Sequence, residues 1–530
     1  METASSSNLL TRATRALGVL AGVVCLFAQA SFAHAGSRTL SREALLDKIR
    51  GAWAGQMIGV VYGAPVEFRS LGRINEAEIR PFPLTNAIVQ DDLYVEMTFA
   101  RVMDTVGLNA TSADYGEAFK NSKYELWHAN AGARRNLNRG IAAPMSGHPR
   151  YNIHADDIDF QIESDFIGIM CPGLPQVSNQ YADRVGRVMN YGDGLYGGMF
   201  VSGMYTAAYF ENDPRKVVAV GLACIPSGSS YARLISDLLA WSAQEPNNWR
   251  KVWQRVEEKW DKDDACPDGA LRAFNIDAKL NGSYLAMGLL YGQSDWHQTM
   301  DIAARCGQDA DCNPSSATGV LGAMLGYAKI PEHYKTELAK LAGTKFDFTD
   351  YSFNDIVKST EARALEIIKQ AGGKVSAAEV VIPLQMPKAP PLEQSNFGAP
   401  IKVVWCRDPA WNWQGNWVEK DGHIWSDKIR LRETEGAGSD VTLRFRGTGI
   451  ALVGELSVKG GRADVYLDGV KSQLVADAYI VPNTHDLDLW RVHGLKAGEH
   501  TLRLVMRDDA DPRSEGRQLT ISRAIVYQAR

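Results

Sequence analysis

Four glycines recur at every fourth residue near the start of this chain: Gly51, Gly55, Gly59 and Gly63. A four-residue step keeps positions on one stripe of an α-helix. The surrounding stretch, SREALLDKIRGAWAGQMIG, opens on Ser41, a good N-cap, and carries Leu45, Ile49 and Trp53 on a stripe of their own. Glycine costs a helix interior about 1 kcal/mol relative to alanine, so a row of it implies a second backbone lying close against that face. The run is a packing signal for a soluble fold, not a membrane dimer motif, because no later segment is apolar for long enough to span a bilayer.

A second segment built for close packing follows RCGQDADCNPSSATG, Arg305 to Gly319, where Gly319, Gly322 and Gly326 lie in a run rich in Ser, Ala and Gly. Asp309 and Asp311 stand two apart and diverge on a helix, so the pattern predicts a loop there. Asn313 and Pro314 fit the N-cap and first position of the helix that follows. A second acidic pair, Asp91 and Asp92, follows Gln90 and precedes a helix with Met97, Ala100 and Val102 directed to the core. Two such pairs offer oxygen ligands for Mg²⁺, Mn²⁺ or Ca²⁺. The alternative is two acidic clusters, each stabilising a helix N-terminus.

The periodicity divides the chain. Residues 36–380 read as an all-α domain that ends near FNDIVKSTEARALEIIKQAGG, with Gly372 as C-cap. Residues 381–400 are proline-rich, lack either period and read as a linker. Residues 401–530 alternate with period two, as in VTLRFRG and LKAGEHTLRLVM, which predicts an all-β sandwich. Six tryptophans fall in this part, at 405, 411, 413, 417, 425 and 490; they suit either a core or platforms for flat sugar faces. The loop DDADPRS offers a Ca²⁺ site or a plain polar turn.

Residues 1–35 have the layout of a secretory signal peptide: Arg12 and Arg15, then ALGVLAGVVCLFAQA, then small residues before a cleavage site after Ala33 or Ala35. They predict an exported protein, periplasmic or extracellular, with no stable membrane insertion after cleavage. Six cysteines then remain, and export permits a bridge between Cys306 and Cys312. A net charge of -5 with no basic stripe argues against nucleic acid as a partner.

Taken in order, GAWAGQMIGVVYGAPVEF, QDD and GQDADCNPSSATGVLGAMLG resemble the ADP-ribosylglycohydrolase family over roughly residues 41–345. The resemblance implies an all-α orthogonal bundle holding one or two divalent metal ions, Mg or Mn with Ca also possible, between the acidic loops. It assigns Asp91, Asp92, Asp309 and Asp311 as ligands, with Gln90 standing where the family has threonine. Asp92 and Asp309 then also serve the chemistry. Cys312 replaces the family's Thr or Ser, and the Thr-His pair expected near IPSGSSYARL is absent. The β-domain resembles jelly-roll modules attached to carbohydrate-active enzymes.

The middle of the chain adds candidates. HADDIDFQIESDFIG places Asp156, Asp159 and Glu163 on one helical face, with Glu163 or Asp157 as catalytic acid or base and His154 and Asp156 as substrate contacts. NYGDGLYGGMF puts Asp193 and Gly194 where the resemblance implies a sugar-contacting loop. The leading expectation is therefore an exported, metal-dependent glycoside hydrolase acting on a glycan or furanoside. The rivals are an ADP-ribosyl hydrolase and a non-catalytic sugar-binding protein with a decayed metal site.

Overall fold

The computed structural model describes residues 36–261, 264–393, 397–424, 427–485 and 487–529. The segment read as a signal peptide and Trp425 lie outside them. Among the described residues no helix is long and apolar enough to cross a membrane.

The helices that place the site are α1 (Arg42–Gly63), α2 (Asp91–Thr105), α3 (His128–Asn138), α4 (Asp159–Ile162), α5 (Asp165–Ile169), α6 (Asp193–Ala208), α7 (Ala278–Tyr291) and α8 (Cys312–Leu325). Ser41 caps α1 by accepting from Ala44 N–H at 3.0 Å. The glycine row of α1 lies against α8, whose own small residues face it. A Cβ on Gly51, Gly55, Gly59 or Gly63 would fall less than 3 Å from backbone atoms at Gly322, Thr318, Pro314 and Ala310 respectively. Thr318 Oγ1 donates across this contact to Gly55 O at 2.7 Å. Helix α1 is buried all round from Gly51 onward and α8 from Cys312 to Met324, which explains why neither shows a one-sided apolar stripe.

Helix α8 starts at Cys312 with Asp311 at the N-cap, two residues earlier than the Asn-Pro pair suggests. The acidic segment after His154 is not one helix. It forms α4 and α5, interrupted at Glu163 and Ser164, so Asp156, Asp159 and Glu163 share no helical face.

The proline-rich stretch is not a free linker. Glu379–Pro383 is a strand paired antiparallel with Ser37–Ser41, and Lys374–Val375 flanks it. Beyond it, Gln176 and Asn179 bond to residues 385, 386 and 388, and Arg187 pairs with Glu393 at 2.6 Å. These side-chain bonds strap the segment to the helical domain.

The C-terminal region is antiparallel throughout its named sheets. The strands Asp440–Gly447, Gly461–Leu467 and Gly498–Ala510 share one sheet with Trp411–Gln414; Gly449–Val453, Asp488–Val492, Arg523–Gln528 and Ala399–Trp405 form a second. Val441, Leu443, Phe445, Leu502, Leu504 and Met506 fill the space between them, as alternation predicts. In the second sheet Gly449–Val453 and Arg523–Gln528 are buried on both faces: Ala451, Val453, Ile525 and Tyr527 pack on Ile153 and Ala265 of the helical domain. Trp411 and Trp490 belong to the sandwich core. Trp413 stacks on Trp411 and takes Arg432 over its ring, so these tryptophans serve packing first.

Candidate active site

The close approach of α1 and α8 sets the geometry of the acidic loops. At the top of the contact, Gly63 lies against Ala310, leaving the 307–311 loop directly beside the end of α1 and Glu67. The loop is pinned from behind by α7: Asn281 Oδ1 accepts from Asp309 N–H at 3.3 Å and from Asn313 Nδ2 at 3.0 Å. Gln308 accepts from Asn275 N–H at 3.0 Å and donates to Ala273 O at 2.8 Å. Phe68, His128 and Gln308 all hold positive φ (50°, 44° and 54°). Backbone strain of this kind, away from glycine, concentrates where a site is over-determined by its surroundings.

Side-chain oxygens of Glu67, Asp309 and Asp311 lie within 4.8 Å of one another, and the same limit holds among Asp92, Asp311 and the Cys312 thiol. The two acidic segments, more than two hundred residues apart, therefore share one cluster through Asp311. Asp92, Asp309 and Asp311 are buried, Asp91 is half-buried, and Glu67 stands at the exposed rim though protein atoms crowd it. Desolvation, then the charge of Asp311, pushes Asp92 and Asp309 well above the usual carboxylate range and Asp91 up to about 6. Burial, then Asp311 and Asp91, raises Glu67 to about 9.

Asp92 Oδ1 and Asp309 Oδ1 are buried and meet no hydrogen-bond donor among the described residues. An unanswered buried carboxylate oxygen is costly. A divalent cation answers two at once, so the oxygen-rich set Asp91, Asp92, Asp309, Asp311 and Glu67 fits a hard ion such as Mg²⁺ or Mn²⁺. The thiol fits less well; it lies 3.4 Å from Asp92 Oδ2 and 3.7 Å from Asp311 Oδ1, a donor to the carboxylates.

A second group borders this cluster. Glu163, buried at the break between α4 and α5, accepts from Asn130 Nδ2 on α3 and keeps Oε2 without a donor. Burial raises its pKa well above the ordinary value, with help from the charges of Asp159, Asp91 and Asp92. Asp159 caps α3, accepting from Ala129 and Asn130 N–H at 3.1 and 2.9 Å. Asp157 bonds His154 Nδ1 at 2.6 Å and lies 3.9 Å from His128 Nδ1. The rings continue outward, His128 to Phe274 at 5.9 Å and Phe274 to Phe68 at 5.3 Å, so this group reaches the rim beside Glu67.

The model of the family described as ADP-ribosylglycohydrolase matches residues 41–365. The chain belongs to the ADP-ribosylglycohydrolase family. The solved structure titled "ADP-ribosylglycohydrolase-related protein complex" aligns over 61% of this chain and 98% of its own, with 17% identity and a TM-score of 0.39. Two curated relatives from Flavonifractor plautii match shorter stretches. The A type blood alpha-D-galactosamine galactosaminidase is 41% identical over 17% of this chain and 8% of its own length. The A type blood N-acetyl-alpha-D-galactosamine deacetylase is 34% identical over 27% and 18%. The matches thus span less than a fifth of either relative.

For a member of this family, several residues singled out in the sequence stand elsewhere. Asp156 and Asp193 line a different cavity, with Tyr191 and Ser229. Their charges are answered by the buried Lys279, which also pairs with Asp277. Asp193 accepts from Tyr231 N–H at 3.3 Å, and Gly194 serves close packing, since a Cβ there would collide with Asn190 and the Ala155 carbonyl. His154 is fully buried and orients Asp157, so it offers no surface to a substrate. Gln90 donates its amide to Asn86 Oδ1 at 2.6 Å within its own turn. Cys306 and Cys312 are not bridged: both are free, Cys306 lying 3.7 Å from Met287 Sδ and Cys312 among the acids.

Sequence reasoning missed Glu67, His128 and Asn130. Glu67 was within reach, as the acid that ends GAPVE in the first motif. His128 and Asn130 lie in WHANAG, where no spacing marks a site; only the fold of α3 onto Asp159 brings them in.

Proposed function

We propose that this protein is an exported, metal-dependent glycoside hydrolase that cleaves a glycosidic bond, furanosyl in kind, in an extracellular glycan or glycoside. The observation that carries the proposal is the convergence of Glu67, Asp92, Asp309 and Asp311 with two buried carboxylate oxygens left without donors. Asp91, Asp92, Asp309, Asp311 and Glu67 are the residues that would hold the ion. When bound, a divalent cation supplies water activated for attack on the anomeric carbon and orients sugar hydroxyls.

The remaining roles belong to the chain itself. Burial, then the neighbouring acids, pushes the Glu163 carboxyl well above the usual carboxylate range and so favours its protonated form, which suits proton donation to the leaving oxygen. Asn130 fixes its orientation. Asp157, steered by His154, holds the His128 side of the cleft, and Phe68 and Phe274 form an apolar wall that excludes water. The named galactosaminidase relative supports a glycan substrate; the predicted signal peptide supports export.

The family membership itself favours a second reading, release of ADP-ribose from protein or a small conjugate. Purified protein incubated with furanosides, α-galactosaminides, ADP-ribosyl-arginine and ADP-ribosyl-serine separates the two. Release of a monosaccharide with Mn²⁺ or Mg²⁺, lost in Glu163→Gln chiefly through kcat, is the expected result. Release of ADP-ribose alone overturns the glycan assignment.

A further inference from the structure

Helix α3 has two functional faces. Its first turn gives His128 and Asn130 to the acidic cleft. Further along the helix Ala131, Arg134, Arg135 and Asn138, with Trp127 just ahead of the first turn, wall a cleft of about 200 Å³ whose far wall is the β-domain segment 479–484. This cleft and the acidic group are neighbours along one helix, one residue apart at Trp127 and His128.

This second cleft is built rather than incidental. The domains are locked around it by buried ion pairs: Arg135 donates to Asp488 O at 2.6 Å and to its carboxylate at 3.1 Å, and Arg491 pairs with the same carboxylate. Arg139 reaches across to Asp477 O and Tyr479 O at 3.1 and 3.2 Å. Trp127 is 40% exposed and Val481 60% exposed, large apolar groups that do little for either core. Arg135 Nε, within a side chain almost wholly buried, has no acceptor among the described residues. Arg134 bonds to Ser122 and Tyr124 and has no carboxylate partner among the described residues. An exposed indole beside guanidinium and amide donors is the chemistry of a sugar site: an apolar face to lie on and fixed donors for hydroxyls.

We propose that the cleft between α3 and the 479–484 segment is a distal saccharide subsite, holding further units of a glycan whose scissile bond reaches the acidic cluster. The inference rests on the glycoside hydrolase reading and deepens it, for it makes the β-domain a part of substrate recognition. Trp127 is the platform, and Arg134, Asn138 and Asn483 supply polar contacts from the two walls. The site takes a neutral or acidic oligosaccharide, since Arg134, Arg135, Arg139 and Arg513 outnumber Glu125 in its lining.

The test uses the whole protein and two substrates, an aryl glycoside of one sugar and an oligosaccharide of at least four units ending in that sugar. Val481→Trp fills the cleft from the β-domain side, and Trp127→Ala removes the platform. The expected result is a fall of tenfold or more in the ratio of kcat/KM for the long over the short substrate, carried by KM. Binding of the same oligosaccharide to Asp309→Ala, measured by calorimetry, should weaken by a similar factor when Val481→Trp is added. An unchanged ratio in both variants, with glycan hydrolysis intact, overturns the subsite while leaving the function standing. Absence of hydrolysis or binding with any glycan, alongside ADP-ribose release, overturns the function and the subsite together.

Discussion

Two clusters of buried charge lie near α3, one beyond its first turn and one at Arg135, and they are opposites. At the domain interface, Asp488 is enclosed with Arg135 and Arg491; against the cost of desolvation, the two guanidiniums hold its carboxyl down to about 2. In the acidic cleft, Asp92, Asp309 and Asp311 are equally buried but have one another for neighbours, and their pKa values are driven up. The first cluster answers its carboxylate from within the chain and holds two domains together. The second is destabilising as it stands and calls for positive charge from outside the chain. Burial of charge alone distinguishes nothing; the sign of the partners separates a structural site from a functional one.

The largest expected effect breaks the comparison at its functional side. Asp309→Asn should lower activity about a thousandfold or more, since several kcal/mol of transition-state stabilisation depend on a correctly held ion. It should also remove tight Mn²⁺ binding, read by paramagnetic resonance, while leaving the melting temperature of the metal-free protein level or higher, because one of several repelling carboxylates is gone. For the wild type, Mn²⁺ should raise the melting temperature and a chelator should reverse the gain. A drop in metal-free stability on Asp309→Asn would mean the acids are held by something other than a cation.

The structural side responds in the reverse way. Asp488→Ala leaves Arg135 and Arg491 buried without a counter-charge and should cost about 3–5 kcal/mol in chemical denaturation, with Mn²⁺ affinity nearly unchanged. The same carboxylate fixes a pH dependence. Its folded pKa, about 2, lies below the unfolded value near 3.9, so its stabilising contribution is fully present above pH 4 and drains away as the pH falls towards 2. Melting curves between pH 5 and 2 should show a decline in the wild type that is shallower in the variant.

Between these lies the glycine row. Gly63→Ala thrusts a methyl group at the Ala310 carbonyl and the Asp311 backbone. Overpacking of this kind costs about 1–3 kcal/mol, and here the displaced backbone carries Asp309 and Asp311. The variant should therefore lose cation affinity together with stability, whereas Gly51→Ala, at the far end of the same row, should lose stability alone.

That link between packing and site explains what was legible beforehand. The glycine spacing announced a backbone-close helix pair, and the strand alternation announced the sandwich, because both are local patterns with one physical cause each. The four aspartates could be picked out because they stand as short acidic pairs at helix starts, Asp91 and Asp92 opening α2 and Asp309 and Asp311 just ahead of α8. The break between α4 and α5 was not legible: the charges of that stretch fit a helical face on paper, while Glu163 and Asp159 are drawn to Asn130 and to the N-terminus of α3 by tertiary contacts. The strap formed by residues 384–393 was hidden for the same reason, since its partners Gln176, Asn179 and Arg187 are distant in sequence. Likewise, Asp193 and Asp156 carry no local sign that the buried Lys279 compensates them.

The smallest effect sharpens the comparison at one atom. Cys312 sits where the acids meet, with its thiol 3.4 Å from Asp92 Oδ2 and 3.7 Å from Asp311 Oδ1. Sulfur is a poor partner for Mg²⁺ and a better one for softer ions, so the residue sets a preference without being needed for the charge balance. Cys312→Ser puts a hard oxygen in the same place at nearly the same volume. Titrations with Mg²⁺ and Mn²⁺ should show Mg²⁺ affinity rising several-fold relative to Mn²⁺, with the melting temperature of the metal-free protein almost unmoved. An unchanged Mg²⁺ to Mn²⁺ ratio would show that the thiol serves Asp92 alone and that the ion sees only carboxylates, which would place the contrast between the two buried clusters entirely in the count and sign of their charges.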